Sequence, residues 1–99
     1  MASVEKVYEN TPNFLLNILY DIVEMRKATV THEGREILAI DTEMYGIKTG
    51  YIFRIIPSSA GTSVEVETEG NDENAERRAQ LMLDTLDNMI GSFAQAGND

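Results

Sequence analysis

The residues most able to do chemistry are a lone histidine and a run of carboxylates, and neither has the spacing of a known site. His32 is the only histidine, and the chain has no cysteine. A zinc site would need this histidine plus carboxylates, a poor set for zinc. No nucleophile and orienting carboxylate lie near it in the pattern of a catalytic triad. We interpret His32 as a residue at a strand end, and we predict neither a metal site nor a cofactor.

The densest group of charges is acidic. Carboxylates could bind Ca²⁺ or Mg²⁺, but residues 71–74 lack the spacing, the glycine and the terminal glutamate of an EF-hand loop. Alternatively, part of the group could face a basic partner, or it could be a solvated sheet face that discourages edge pairing. All the acidic residues of the group precede the first basic residue, Arg77: Glu65, Glu67, Glu69, Asp72, Glu73 and Glu76.

Hydroxyl side chains crowd one loop, at Ser58, Ser59, Thr62 and Ser63. They belong to no nucleophile elbow, S-x-x-K motif or phosphate-binding loop. Hydroxyls in turns commonly bond to their own backbone, so we interpret them as turn residues. Because no catalytic constellation is found, the sequence predicts a protein that is not an enzyme. An enzymatic role stays an open alternative, since catalytic carboxylates need no motif.

Composition limits the partners and the location. The chain has 17 acidic and 8 basic residues and a formal net charge of -9, so it repels phosphate backbones and is not expected to bind nucleic acid. No apolar stretch is long enough to span a membrane. Residues 1–6 lack the apolar segment of a signal peptide, so a cytoplasmic location is expected.

The strongest periodic signal predicts a long amphipathic helix at the C-terminal end. Asp72 is a suitable N-cap, and acidic residues follow it near the positive end of the helix dipole. We expect about 20 helical residues, followed by a frayed tail over about residues 94–99. Apolar residues recur on one face at steps of three and four: Ala75, Ala79, Met82, Leu83, Leu86, Met89, Ile90 and Phe93.

A second helix is predicted to begin at Thr11-Pro12, a capping residue followed by proline at the first helical position. Its apolar face consists of Leu15, Ile18, Leu19 and Ile22. This helix is more apolar than a surface helix requires, so we expect it to contact more than one surface.

Between the two helices the hydrophobic period changes to two, which is typical of strands. The alternation predicts four strands, separated by a tight turn at residues 33–34, a longer connection over residues 45–50 and a loop over residues 57–61. These connections are too short for a parallel crossover, so an antiparallel meander is expected. Residues 3–9 fit either an edge strand or a helical turn. The sequence thus predicts one α+β domain over residues 1–99, a two-layer sandwich of four or five strands with both helices.

The two faces of the predicted sheet differ in character. The face expected to meet the long helix is apolar: Val30, Leu38, Ile40, Tyr51, Phe53, Ile55, Val64 and Val66. On the other face, Ile37, Ile52 and Ile56 lie among charged residues, although a solvated face has no need of apolar side chains. Three interpretations are open: scattered surface residues, cover by the first helix, or cover by a second copy of the chain.

The segment from residue 51 to the long helix resembles the helix-grip domains of the START/SRPBCC class. The resemblance lies in the strand 51–56, the turn Ala60-Gly61-Thr62, the strand 63–67 and Gly70. The segment Glu9-Asn10-Thr11-Pro12 before the first helix is also similar to that class. Members of the class are usually longer, with more strands and a second short helix. The resemblance implies a fold that binds apolar ligands, and it names no catalytic residue here.

Two hypotheses for function follow. The first is a non-enzymatic binding or protein-interaction module, which either self-associates through Ile37, Ile52 and Ile56 or meets a basic protein partner. The second is a carrier of a small apolar ligand in a pocket between the sheet and the long helix. Methionine side chains suit such a surface. The predicted ligand contacts are Leu38, Ile40, Tyr51, Phe53, Met82, Leu86 and Met89.

Overall fold

In the described residues, one strand and one helix precede four consecutive strands and a long C-terminal helix, in the order β-α-β-β-β-β-α. The computed structural model describes residues 2–44, 46–70 and 72–96. No helix in these ranges is long and apolar enough to cross a membrane. The elements are β1 (Ala2–Tyr8), α1 (Pro12–Met25), β2 (Thr29–Glu33), β3 (Ile37–Met44), β4 (Ile47–Ser58), β5 (Gly61–Thr68) and α2 (Ala75–Ala96).

The described strands form a single antiparallel sheet in the order β1-β5-β4-β3-β2. The predicted α+β class is therefore confirmed, with five strands in the described part of the chain. β2 to β5 form the expected meander. The segment with two interpretations is a strand, because β1 pairs with β5 from Ala2 opposite Thr68 to Tyr8 opposite Thr62.

The turns between the central strands are shorter than the sequence predicted. β4 already begins at Ile47, which pairs with Met44, and it continues to Ser58, which pairs with Gly61. The predictions of connections over residues 45–50 and 57–61 were therefore wrong, and Tyr45 lies outside the described residues. The pairing of β4 with β3 ends at Arg54, opposite Ile37. Pro57, which has no N–H, is tolerated because β4 has no β3 partner to bond at that position.

Gly61 begins β5 where β1 passes closest to it. Its φ is +136°, and a Cβ at this position would clash with the carbonyl oxygen of Tyr8. Only glycine combines that backbone conformation with so close an approach. The glycine thus allows the end of β1 to lie against β5.

The predicted N-cap residue is correct for α1 and wrong for α2. The Thr11 hydroxyl accepts a hydrogen bond from the Phe14 N–H at 3.2 Å, so the predicted cap of α1 is confirmed. α2 begins at Ala75, and Asp72 is not its N-cap. The Asp72 carboxylate instead accepts from the Asn74 N–H and pairs with Arg78. α2 continues to Ala96, beyond the predicted start of fraying, and residues 97–99 lie outside the described ranges.

Both helices pack on the same face of the sheet. The buried residues of α1 and α2 join one core with those of β3, β4 and β5. Of the eight residues predicted on the core face, Val30 is the exception, because it is 37% exposed. It lies on the edge strand β2, which has a bulge between Val30 and His32 and is exposed along its length. The core consists of Tyr8, Leu15, Ile18, Leu19, Ile22, Leu38, Ile40, Tyr51, Phe53, Ile55, Val64, Val66, Ala79, Met82, Leu83 and Leu86.

The opposite face of the sheet, which we call the outer face, is covered by neither helix. The interpretation that the first helix covers it was wrong, because Leu15, Ile18, Leu19 and Ile22 of α1 are buried in the core on the other side. Ile37 and Ile52 are half-buried and Ile56 is 46% exposed. Beside them, Arg54 pairs with Glu65 at 2.8 Å and with Glu67 at 2.9 Å.

Candidate functional site

A cavity of about 690 Å³ lies at one end of the interface between the helices and the sheet. Its walls come from the C-terminal end of α1, from β3, from the start of β4, from the segment after β5 and from the first three turns of α2. The lining residues are Arg26, Thr42, Ile47, Lys48, Thr49, Tyr51, Glu69, Gly70, Asp72, Arg78, Leu81, Met82 and Thr85.

The cavity forms where the core-facing positions of the strands change from aliphatic to polar. Along β3 the inward residues are Leu38 and Ile40 and then Thr42, and the neighbouring strand β4 places Thr49 opposite Thr42. Threonine has a smaller side chain than leucine or isoleucine and carries a hydroxyl. The side chains at this end of the interface therefore fill less space than those in the core, and they offer hydrogen bonds.

Arg78 closes one side of the cavity and is paired with a carboxylate, although its buried Nε has no hydrogen-bond partner within the described ranges. Its two terminal nitrogens donate to the two carboxylate oxygens of Asp72, each at 2.9 Å, and one of them also donates to the Glu69 carbonyl at 3.0 Å. The Arg78 guanidinium lowers the pKa of Asp72 from 3.8 to about 2. These bonds join Glu69 and Asp72 to the first turn of α2.

Arg26 also lines the cavity and has a different set of partners. It is the C-cap of α1, and its Nη2 donates to the Thr85 hydroxyl at 3.2 Å, which joins the end of α1 to α2. No carboxylate pairs with it among residues 2–44, 46–70 and 72–96. Its buried Nε also lacks a hydrogen-bond partner within those ranges. Arg26 is thus a partly buried cation with a neutral partner only.

Tyr51 also lines the cavity. Burial raises the pKa of the Tyr51 phenol, while the charges of Arg26 and Arg78 both act to lower it. Both guanidinium groups are therefore close enough to act on the phenol. The hydroxyl, the two cations and the threonines form the polar part of the cavity.

The remaining wall is apolar. Met82 is buried, whereas Leu81 is 53% exposed and Ile47 is 68% exposed. An exposed pair of large aliphatic side chains beside a cavity can close over a bound apolar group. The cavity therefore combines an apolar side with a cationic and hydroxyl-bearing side.

Of the seven predicted ligand contacts, the structure brings Tyr51 and Met82 to the cavity. The others do not line it, because the middle of the interface between α2 and the sheet is filled by their own packing. Leu38, Ile40, Phe53 and Leu86 are fully buried in the core, and Met89 packs against it partly buried.

Sequence reasoning missed the cationic and hydroxyl-bearing residues of the cavity: Arg26, Thr42, Arg78 and Thr85. One signal was present, since threonine replaces the aliphatic residue at Thr42 in the inward alternation of β3. Arg26 carried no such signal, because its place depends on where α1 ends relative to α2.

The residues first considered for chemistry lie apart from the cavity. His32 is exposed on the edge strand β2. Within the described part of the chain, no group of three or more histidine, cysteine, aspartate or glutamate side chains is arranged to hold a metal ion. The carboxylates of β5 face the outer side, where Glu65 and Glu67 bind Arg54.

Comparisons with known proteins bear on the fold. No family model matches the chain, and no curated protein matches it significantly. The crystal structure of protein MLL2253 from Mesorhizobium loti is similar, with a TM-score of 0.65 and 15% sequence identity. The similarity covers 92% of this chain and 96% of that one. At this identity it shows a shared α+β fold and nothing about function.

Proposed function

We propose that this chain is a non-enzymatic binding protein that takes a small molecule into the cavity between β3, β4 and α2. The observation that carries the proposal is the cavity itself, whose volume of about 690 Å³ falls within the range of roughly 300–1,000 Å³ typical of ligand sites. Its lining joins an apolar wall to a few convergent polar groups. That combination is typical of sites that orient a mainly apolar ligand.

The position of the cavity agrees with the resemblance to helix-grip domains, in which the ligand lies between a long helix and the sheet. Here the middle of that interface is solid, and the space is confined to the end beside Tyr51 and Met82. The ligand should therefore be small and should reach the rim at Leu81.

The neutral apolar dye Nile red tests the proposal. We expect a saturable increase of its fluorescence with one site per chain. Leu81→Trp should weaken binding by about tenfold or more, because the larger ring at the rim would occupy the space of the ligand. Gln80→Trp is the matched control, since Gln80 is exposed on the same helix and does not line the cavity. Absence of saturable binding, or equal effects of the two variants, would refute the proposal.

A second candidate function is self-association through the outer face. It is supported by the uncovered sheet and by the three isoleucines on it, of which Ile56 is the most exposed. A basic protein partner is the alternative occupant, supported by Glu65 and Glu67 on the same face.

A further inference from the structure

We propose that the ligand of the cavity is a small amphipathic carboxylate, and that Arg26 binds its carboxylate group. This inference rests on the proposed function, because it names the chemical class of the ligand that the cavity takes. It is carried by the charges and the hydrogen bonds around the cavity.

The cavity concentrates positive charge in an acidic chain. Three of its lining residues are basic, Arg26, Lys48 and Arg78, in a chain that has 8 basic residues and a net charge of -9. Arg78 is neutralised by Asp72 in a two-bond ion pair. The second acidic lining residue, Glu69, directs its carboxylate toward Gly50, where a Cβ would lie 2.7 Å from it.

Gly50 lies between Thr49 and Tyr51, which face inward, so a side chain at position 50 would point to the outer face of the sheet. The Glu69 carboxylate occupies the space of that missing side chain and therefore lies on the outer side. Lys48 has a carboxylate-bearing neighbour, since it is opposite Glu43 in the pairing of β3 with β4. Neither Arg26 nor Lys48 forms an ion pair in the described ranges, and Arg26 is the more buried of the two, since Lys48 is exposed.

Arg26 is also held in place before any ligand arrives. Its backbone N–H donates to the Ile22 carbonyl at 2.9 Å, and its Nη2 donates to Thr85 at 3.2 Å. The Thr85 hydroxyl in turn donates to the Leu81 carbonyl at 2.9 Å, which leaves the oxygen of Thr85 as the acceptor for Arg26. A guanidinium has five N–H donors, and this bond uses one of them.

A partly buried cation with a neutral partner is costly, and an anion at the same place removes that cost. The guanidinium fork matches the two oxygens of a carboxylate. The apolar part of the ligand would then lie against Met82, Leu81 and Ile47.

The test compares decanoate with 1-decanol by isothermal titration calorimetry. These probes share a chain length and differ in charge. Decanoate should bind about tenfold or more tightly than decanol, as expected for a charge-assisted bond. Arg26→Gln should remove this preference, so that decanoate and decanol bind the variant with equal affinity. Lys27→Gln is the matched control. It also removes one positive charge, but Lys27, the next residue along the chain, does not line the cavity.

The outcomes separate the inference from the proposed function. Equal binding of the two probes to the unmodified chain overturns the inference and leaves the proposed function standing. Absence of binding by both probes and by Nile red overturns the proposed function as well. A preference that persists in Arg26→Gln shows that another group binds the carboxylate. If that variant does not fold, Arg26→Met, which keeps the aliphatic stem, replaces it, and the comparison in the unmodified chain decides the class of ligand.

Discussion

At the scale of single residues, the end of α1 determines where Arg26 lies. The Lys27 N–H donates to the Glu24 carbonyl at 3.2 Å, and the Ala28 N–H donates to the Val23 carbonyl at 2.9 Å. These two bonds are the pair that defines a Schellman C-cap, and Val23 and Ala28 both pack against the core as the motif favours. The motif ends the helix at Arg26 and brings its side chain to the cavity.

Lys27 occupies the position of this motif that favours glycine, with a φ of 53°. We predict that Lys27→Gly raises the free energy of unfolding by about 0.5–1 kcal/mol, because glycine adopts this conformation without the strain of a Cβ. Urea denaturation measures the change. Lys27→Ala is the control and should not stabilise the chain, since it removes the same side chain and keeps the Cβ. Equal stabilisation by both would show that the side chain, rather than the backbone, is responsible.

Residue patterns predicted features that depend on neighbours along the chain. They did not predict features that depend on contacts in the folded structure. Thr11 was recognisable as a cap because the residues that it serves follow it directly. Asp72 was misassigned, because α2 begins three residues later, at Ala75, and the Asp72 carboxylate pairs with Arg78 in the first turn of the helix. Arg26 was missed for a related reason, since its partner Thr85 is 59 residues away along the chain.

At the scale of elements, β1 is joined to α2 as well as to β5. The Tyr8 hydroxyl donates to Asp87 Oδ1 at 2.6 Å, and Lys6 donates to Asp87 Oδ2 at 3.1 Å. The Lys6 ammonium also lies 5.2 Å from the centre of the Tyr8 ring. Burial raises the pKa of the Tyr8 phenol well above its ordinary value of 10.0, and the hydrogen bond to the Asp87 carboxylate raises it further.

We predict that the contribution of Tyr8 to stability is lost in alkaline solution. The folded state keeps the phenol protonated above pH 10.0, where the unfolded chain releases the proton, so stability falls as pH rises. The extra slope is about 1.4 kcal/mol per pH unit for one group. Urea denaturation at several values of pH from 8 to 11 should therefore show a shallower decline for Tyr8→Phe than for the unmodified chain.

The same substitution should cost about 1 kcal/mol at neutral pH, through the lost hydrogen bond to Asp87. Tyr20→Phe is the matched control. The buried Tyr20 hydroxyl has no hydrogen-bond partner in the described ranges, so its removal should be neutral or stabilising. An unchanged alkaline slope in Tyr8→Phe would mean that Tyr8 does not govern the decline.

The elements themselves were largely readable from the sequence. An element with one buried face repeats its apolar residues at its own period, 3.6 residues for a helix and 2 for a strand. These periods identified both helices and the four meander strands. Strand ends were not readable, because β4 is extended by pairing with its neighbours. β1 was ambiguous because its partner β5 lies about 60 residues away along the chain, at a register that no local pattern encodes.

At the scale of the whole molecule, placing both helices on one face of the sheet has two consequences. It produces a core that is solid in the middle and open at one end, which is where the cavity lies. It also leaves the outer face to solvent or to a partner. The sequence indicated both regions, through the inward stripe and through the outward isoleucines. The sequence did not locate the cavity. Whether side chains fill the space between the helices and the sheet depends on the distance between them in the folded structure.

The outer face carries three isoleucines that a second copy of the chain can cover. If two copies associate through Ile37, Ile52 and Ile56, each brings a net charge of -9. Electrostatic repulsion between the two copies therefore opposes their association. Added salt screens this repulsion over a Debye length of about 10 Å at 0.1 M. Sedimentation velocity should therefore show a dimer whose fraction rises with protein concentration and with sodium chloride.

Ile56→Glu should shift this equilibrium to monomer, because it adds a charge at the most exposed of the three isoleucines. Met25→Glu is the matched control, since Met25 is 57% exposed on α1 and lies away from the outer face. A strict monomer at every concentration and salt would exclude self-association. A dimer that Ile56→Glu leaves intact would place the interface elsewhere, and the exposed edge strand β2 would be the next surface to test, because its unpaired backbone groups can receive another strand.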